Sequence, residues 1–306
     1  MRELVVISGK GGTGKTSLLA CFAVLAGQAV MADCDVDAAD LHLVLSPTVR
    51  RRETFRSGNE AVILPELCQD CGECLELCRF GAVSRDDGDA RRAVYRIDPA
   101  ACEGCGVCVD HCPAEAIRFP ERVCGEWYLS DTRCGPMVHA RLHAAAENSG
   151  KLVATMRREA QAVAKAGGHG LILVDGPPGI GCPVIASITG ASAVLIVTEP
   201  TVAGAHDLER VLTLCRHFRI PASVCVNKWD LNGEMTERIE TLARDQGASV
   251  TGRIPYDRTV TTAQIQARSV VELGGPAAQA VRRVWEEFAS IGEANGTTRQ
   301  TADRVN

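Results

Sequence analysis

The stretch Leu4-Val5-Val6-Ile7-Ser8-Gly9-Lys10-Gly11-Gly12-Thr13-Gly14-Lys15-Thr16 leaves few folds open to this chain. Its apolar run reads as a buried strand, its glycines as a turn, and Lys15 onward as a helix start. Gly9 through Thr16 satisfies G-x-x-x-x-G-K-[ST], the phosphate-binding loop. Glycines let consecutive backbone N–H groups converge on phosphate oxygens at a helix N-terminus. In such a loop Lys15 reaches the β- and γ-phosphates, and the Thr16 hydroxyl ligates Mg²⁺. A plain glycine turn would explain the glycines but not the Lys-Thr pair. Gly9, Lys10, Gly11, Gly12, Thr13, Gly14, Lys15, Thr16 and Ser17 are therefore expected to hold a nucleotide.

A chain of 306 residues has room for one large domain and a small one, or for two of medium size. Hydrophobic content of 46% with only 4% aromatics fits an α/β protein built on Val, Ile, Leu and Ala. The net charge of −5 offers no basic field for coating nucleic acid. Arg50-Arg51-Arg52 is the one dense basic spot, and it reads as a solvated loop. No apolar run is long enough to span a membrane, and Met1-Arg2-Glu3 leads straight into the first strand. The expectation is a cytoplasmic protein with neither nucleic-acid nor membrane partners.

Ser17–Gly27 should be the first helix, and Ala29–Ala32 a second buried strand. That strand delivers Asp33-Cys34-Asp35-Val36-Asp37 to the sheet edge where open α/β sheets bind ligands. Asp35 is the candidate for orienting an attacking water. Asp37 and Asp40 read as caps or solvated acids. Alternation through Glu53–Leu64 suggests a β-hairpin leaving the main domain.

Fifteen cysteines in a chain without an export signal point to metal or redox chemistry. Cys68, Cys71, Cys74 and Cys78 form C-x₂-C-x₂-C-x₃-C. Cys102, Cys105, Cys108 and Cys112 repeat it 34 residues later, as Gly106 repeats Gly72 and Ala116 repeats Ala82. This spacing is that of two-cluster bacterial ferredoxins, in which the fourth cysteine of each run ligates the other cluster. One 4Fe–4S cluster would take Cys68, Cys71, Cys74 and Cys112; the other, Cys102, Cys105, Cys108 and Cys78. Zinc held by C-x₂-C pairs would leave half of the cysteines unexplained. Cys78 is followed by Arg79, whereas Cys112 is followed by Pro113, a departure that removes no ligand. An insert over 65–121 is too small for a convincing core, so clusters should supply much of its folding free energy. Cys124, Cys134, His139 and His143 invite a metal reading too. The cysteines are not closely paired, however, and a helix with two ordinary histidines explains the pattern better.

A first ATPase segment over 1–64 and a second over 122–292 would flank this insert, with 293–306 a polar, disordered tail. Leu171–Val174 predicts a buried parallel strand ending at Asp175, a candidate for holding Mg²⁺, followed by the stiff turn Gly176-Pro177-Pro178-Gly179. Strands over Ala193–Thr198, Ser223–Val226 and Ser249–Ile254 alternate with helices near Gly204–Phe218 and Glu234–Gln246. The fold class is α/β, a parallel sheet flanked by helices, with an inserted ferredoxin-type α+β domain. Asn227 follows a strand and is placed to read an adenine, although Asn227-Lys228-Trp229-Asp230 also matches the N-K-x-D used for guanine. A last helix over Ala277–Ile291 aligns Ala277, Val281, Val284, Trp285, Phe288 and Ile291 on one stripe, as core packing requires.

Lys10–Thr16, Asp33-x-Asp35 and Asp175–Gly179 together resemble the deviant Walker ATPases of the MinD/ParA/Mrp and nitrogenase iron-protein superfamily. Within it, the chain is most similar to a MinD-like branch carrying an inserted two-cluster ferredoxin. The resemblance runs from Arg2 to about Ile291 and includes Thr198-Glu199-Pro200-Thr201 and Ile254-Pro255-Tyr256-Asp257. It implies that Lys10, Lys15 and Asp35 are catalytic. Lys10, which has no evident partner in its own site, would reach across an ATP-bound homodimer to the partner's phosphates. It also implies Asp35 on the hydrolytic water, Asp175 on Mg²⁺, Asn227 on the base, and ATP rather than GTP. Cys182 stands seven residues after Asp175, as a cluster cysteine does in the nitrogenase iron protein; a buried free thiol is its simpler reading.

The leading functional expectation is an ATPase that couples nucleotide state to electron transfer through two 4Fe–4S clusters, serving an unidentified redox or iron–sulfur partner protein. The alternative is a cluster carrier of the Mrp type, although no C-x-x-C exists outside the insert. A positioning ATPase of the MinD kind would be expected to end in a basic amphipathic helix, which this sequence lacks.

Overall fold

The computed structural model describes residues 1–86, 94–143 and 149–302. The last residues of the expected polar tail, 303–306, lie outside them. The chain divides into two compact units. One comprises Met1–Glu53, Glu126–Arg141 and Ser149–Asn306, the other Thr54–Gly125 and Leu142–Asn148.

The first unit opens with β1 (Arg2–Ser8), α1 (Lys15–Ala26), β2 (Val30–Asp33) and the short α2 (Leu41–Leu45), and β3 (Thr48–Asn59) belongs to it as far as Glu53. The second holds β4 (Val62–Ile63), α3 (Glu73–Leu77), β5 (Val83–Asp86), β6 (Val94–Ile97), α4 (Val107–Asp110) and β7 (Ile117–Arg118). After β8 (Glu121–Thr132) and β9 (Gly135–Leu142) come α5 (Ser149–Gly167), β10 (Leu171–Pro178), α6 (Cys182–Ile188), β11 (Ala193–Thr198) and α7 (Val202–His217). The chain closes with β12 (Ala222–Asn227), α8 (Gly233–Asp245), β13 (Ser249–Ile254), α9 (Arg258–Ile265), α10 (Val270–Leu273) and α11 (Pro276–Ala302).

Nine strands form one sheet in the order β13-β12-β11-β1-β10-β2-β9-β8-β3. The six pairings from β13 to β9 are all parallel. Parallel strands covered on both faces must be apolar throughout, and Leu4–Ile7 are all fully buried. Successive side chains take opposite faces. Leu4, Val6, Met31, Leu173 and Leu195 join one core cluster with Phe22 of α1 and Val281, Val284 and Phe288 of α11. Phe22 rests against Trp285 and Phe288 at ring separations of 5.1 and 6.1 Å. This is the stripe expected of the last helix, and the helix continues well beyond Ile291, to Ala302, where a disordered tail was expected.

Three local expectations need correction. Glu53–Leu64 is no hairpin: β3 is a single strand at the sheet edge, and β4 pairs antiparallel with β7. Arg50, Arg51 and Arg52 lie on that strand rather than in a loop, paired with Asp131, Glu159 and Glu126 respectively. His139 sits on β9, not on a helix; it is packed against Tyr128 and His42, and Ser130 Oγ lies 2.8 Å from its Nε2. Positions i and i+4 share a face in a strand as they do in a helix, so the histidine spacing did not discriminate. Burial and the neighbouring His42 push the His139 imidazole pKa down to about 4.

Within the second unit the 34-residue duplication is visible in the backbone. α3 and α4 each begin after a left-handed glycine, Gly72 (φ 83) and Gly106 (φ 79).

Candidate functional site

The C-terminal ends of β1, β2, β10, β11 and β12 bring the expected nucleotide residues together in the first unit. Gly12 and Gly14 adopt positive φ (79 and 92), a conformation that side chains disfavour, and turn the loop into α1. Gly9 is required for a different reason. A Cβ there would lie 2.3 Å from Asp207 Cβ and 3.0 Å from the Asp207 carbonyl carbon, so the loop packs directly on α7.

Lys15 and Asp35 form a buried ion pair, Nζ to Oδ2, at 3.4 Å. Asp175 is fully buried, and neither of its carboxylate oxygens has a hydrogen-bond partner. Burial pushes its pKa up to about 7, against the opposing pull of the Lys15 charge. Asp33 is equally buried. One of its oxygens accepts the Leu41 N–H at 3.3 Å and the other is bare. Burial, then the charges of Asp175 and Asp35, raise it well above the usual carboxylate range. Orphaned buried carboxylate oxygens beside Thr16 are what a divalent cation would satisfy, so the donor set fits Mg²⁺.

Two cavities meet at this edge. One is lined by Gly11, Lys15, Thr16, Asp35, Asp40 and Pro178. The other is lined by Gly14, Ser17, Asn227, Pro255, Tyr256 and Gln264. Asn227 Nδ2 donates to the Thr13 carbonyl at 2.8 Å, fastening this cavity's wall to the loop. The N-K-x-D residues are otherwise employed: Asp230 Oδ1 accepts the Tyr256 N–H at 2.7 Å, and Lys228 bonds Glu199 at 2.6 Å.

Lys10 is not without a partner. Its Nζ lies 3.2 Å from Glu199 Oε2, and Lys228 holds the other oxygen. In the sequence Glu199 stands out only as part of the Thr198-Glu199-Pro200-Thr201 motif. Its place directly after β11, at the ligand edge, was the available signal.

In the second unit the eight repeated cysteines separate into two cavities. One is lined by Cys68, Cys71, Cys74 and Cys112, the other by Cys102, Cys105, Cys108 and Cys78. Three cysteines of each run thus share a cavity with the fourth of the other. Nearly every lining residue has its counterpart 34 positions away: Ile63 and Ile97, Gly72 and Gly106, Ala116 and Ala82, Tyr95 and Ala61. Among the described residues no group of three or more His, Cys, Asp or Glu side chains is arranged to hold a single metal ion. The cysteines ring a space instead of meeting at a point, and a polynuclear group fits that donor set better than zinc. Cys124 and Cys134 are buried, and Cys124 donates to the Ser57 carbonyl; Cys182, expected as a buried thiol, is instead exposed at the start of α6.

A glycine-rich loop between a central parallel strand and a helix, with buried carboxylates at the neighbouring strand ends, defines a P-loop ATPase. Residues 4–270 match the CobQ/CobB/MinD/ParA nucleotide binding domain, and the chain belongs to that family. It is similar to the uncharacterised protein MJ0578 of Methanocaldococcus jannaschii, 30% identical over 240 residues that cover 75% of this chain and 79% of that one. Its fold is that of the septum site-determining protein MinD of Pyrococcus horikoshii, solved with Mg-ADP (TM-score 0.59, 15% identity, 96% and 98% of the chains covered). The McdA(D38A)–ATP complex of Cyanothece is also similar (TM-score 0.53, 18% identity, 97% and 96% covered). No described helix is long and apolar enough to cross a membrane.

Proposed function

We propose that the chain is an ATPase that couples its nucleotide state to electron transfer through two 4Fe–4S clusters. The observation that carries this reading is the exchange of the fourth cysteine: Cys112 lines the cavity of the first run and Cys78 that of the second. Cys68, Cys71, Cys74 and Cys112 would hold one cluster, and Cys102, Cys105, Cys108 and Cys78 the other. Each cluster supplies one-electron chemistry when bound.

On the ATPase side, the loop N–H groups and Lys15 bind the phosphates, while Thr16 and Asp175 would hold Mg²⁺. Lys15 leaves Asp35 when it engages phosphate, and the freed carboxylate orients the water that attacks the γ-phosphorus. Asn227 lies in the base cavity, and the commitment of Asp230 and Lys228 to other partners favours adenine over guanine. The solved relative's Mg-ADP supports the same assignment.

We further propose an ATP-dependent homodimer with Lys10 serving the partner's phosphates. Exposed Leu43 lines the phosphate-side cavity, and exposed Ile180, Ile265 and Val202 follow Pro178, Gln264 and Glu199 by two, one and three positions in the sequence. They offer an apolar rim that a second copy would cover.

The test is anaerobic reconstitution of the full chain. About eight irons per chain are expected, together with ATP hydrolysis that Lys15→Ala removes. Cys78→Ser should impair the cluster shared with Cys102, Cys105 and Cys108 while sparing the other. Loss of the neighbouring cluster instead, or zinc in place of iron, refutes the assignment. Transfer of the clusters to an apo-acceptor would favour the carrier alternative.

A further inference from the structure

Glu199 stands directly after β11, and its backbone is fixed on two sides. Thr201 N–H donates to the Glu199 carbonyl at 2.8 Å. A Cβ on Gly204 would lie 2.3 Å from that same carbonyl, so α7 starts hard against it. The carboxylate has two oxygens and two cationic partners: Oε1 takes Lys228 at 2.6 Å, and Oε2 takes Lys10 at 3.2 Å. Lys228 is held firmly. Its φ of 56 is left-handed, its N–H donates to Asn227 Oδ1 at 3.0 Å, and Asn227 in turn donates to the Thr13 carbonyl. A continuous chain of contacts therefore runs from the base cavity through Asn227, Lys228 and Glu199 to Lys10. Burial alone would raise the Glu199 carboxyl, but its bonds to Lys228 and Lys10 hold it below its usual range.

We infer that Glu199 is a positioning residue that parks Lys10 inside its own subunit, with Lys228 competing for the same carboxylate, so that association must first draw Lys10 away. The inference rests on the proposed role of Lys10 in the ATP-bound dimer. Lys228 makes the release inexpensive. When Lys10 departs, the carboxylate keeps its shorter contact and no buried charge is left unpaired. Because Lys228 is tied to Asn227, filling of the base cavity and release of Lys10 bear on one carboxylate.

Two variants push the equilibrium in opposite directions, which a merely structural role would not do. Glu199→Gln frees Lys10, whereas Lys228→Met leaves Lys10 as the only cationic partner of Glu199 among the described residues. The first measurement uses nucleotide-free full-length protein, with acetic anhydride as the probe and mass spectrometry reading Lys10 against Lys151. Labelling of Lys10 should speed up about threefold or more in Glu199→Gln and slow about twofold in Lys228→Met, as the loss or gain of a half-exposed ion pair predicts. The second is sedimentation with MgATP, in which the protein concentration at half-association should fall in Glu199→Gln and rise in Lys228→Met by similar factors. Should Glu199→Gln fail to fold, Lys228→Met alone still carries both readouts. Unchanged Lys10 labelling, or shifts of the same sign in both variants, overturns the parking role. Labelling shifts of the expected signs in the variants, beside a wild-type protein that never associates with MgATP, overturn the inference through the dimer reading beneath it.

Discussion

Lys15 Nζ lies 3.4 Å from Asp35 Oδ2, with both side chains almost wholly buried. Without nucleotide, then, the loop lysine already has its counter-charge, and phosphate must displace a carboxylate. Asp35→Asn should bind MgATP at least as well as wild type while losing about a hundredfold or more in turnover. Isothermal titration beside a phosphate-release assay separates the two effects, and undiminished turnover would remove Asp35 from the mechanism. Lys15→Ala strands the carboxylates. It should cost about 3 kcal/mol of stability near pH 8 and less at pH 5, where protons replace the lost charge. Denaturant melts at the two pH values check this.

Asp175 makes the nucleotide-free protein pH-sensitive in the direction opposite to an ordinary carboxylate. Its folded pKa is raised to about 7, so the folded state binds that proton more tightly than the unfolded chain does. The stabilisation is complete below its ordinary value near pH 4 and is lost as pH rises towards 7. Carboxylates held low, such as Glu240 and Glu272, change stability only below that window. Thermal melts between pH 5 and 8 should therefore fall less steeply for Asp175→Asn than for wild type. The same variant should lose Mg²⁺-dependent nucleotide binding.

Gly9 and Gly11 separate packing from ligand contact. A Cβ at Gly9 collides with Asp207 Cβ, whereas at Gly11 it meets nothing within 4 Å. Gly9→Ala should cost about 1–3 kcal/mol in a denaturant melt even without nucleotide. Gly11→Ala should leave the melt unchanged, with any loss confined to nucleotide affinity.

Arg157, buried in α5, ties three elements together. Its Nε donates to Glu3 at 2.6 Å, and its Nη1 donates to the carbonyls of Ala186 and Thr189 at the end of α6. Arg157→Met leaves Glu3 with the Gln161 amide but no counter-charge, strips two carbonyls of their donor, and should cost about 3–5 kcal/mol. Adding Glu3→Gln should recover part of that loss, and the double-mutant cycle measures the share.

The parallel core was legible because its strands are apolar on both faces. Leu4–Ile7, Leu171–Val174 and Ala193–Thr198 admit little else, and each leads to a polar residue at the ligand edge. The repeated cysteines were legible as a pattern for a similar reason, since spacing survives without knowledge of the fold. What escaped was whatever depends on partners distant in sequence. Glu199 meets Lys10 across 189 positions and Arg157 meets Glu3 across 154, and no local period marks either pair. β9 was misread because its neighbours, not its composition, make it a strand. β3 was missed because three arginines look solvated until Asp131, Glu159 and Glu126 are brought alongside them.

The traded cysteines of the duplicated segment carry a consequence for its ancestry. A single 34-residue copy owns three cysteines of one cavity and only the outlying fourth of the other, so it cannot enclose either space alone. A lone ancestral copy could have completed its lining only by clasping a twin, each lending the other its last cysteine. Fusion of two copies into one chain would have turned that reciprocal loan between molecules into a covalent certainty. It would also have released the two halves to diverge, and Ala61 now stands where its counterpart is Tyr95, Phe80 where its counterpart is Ala114.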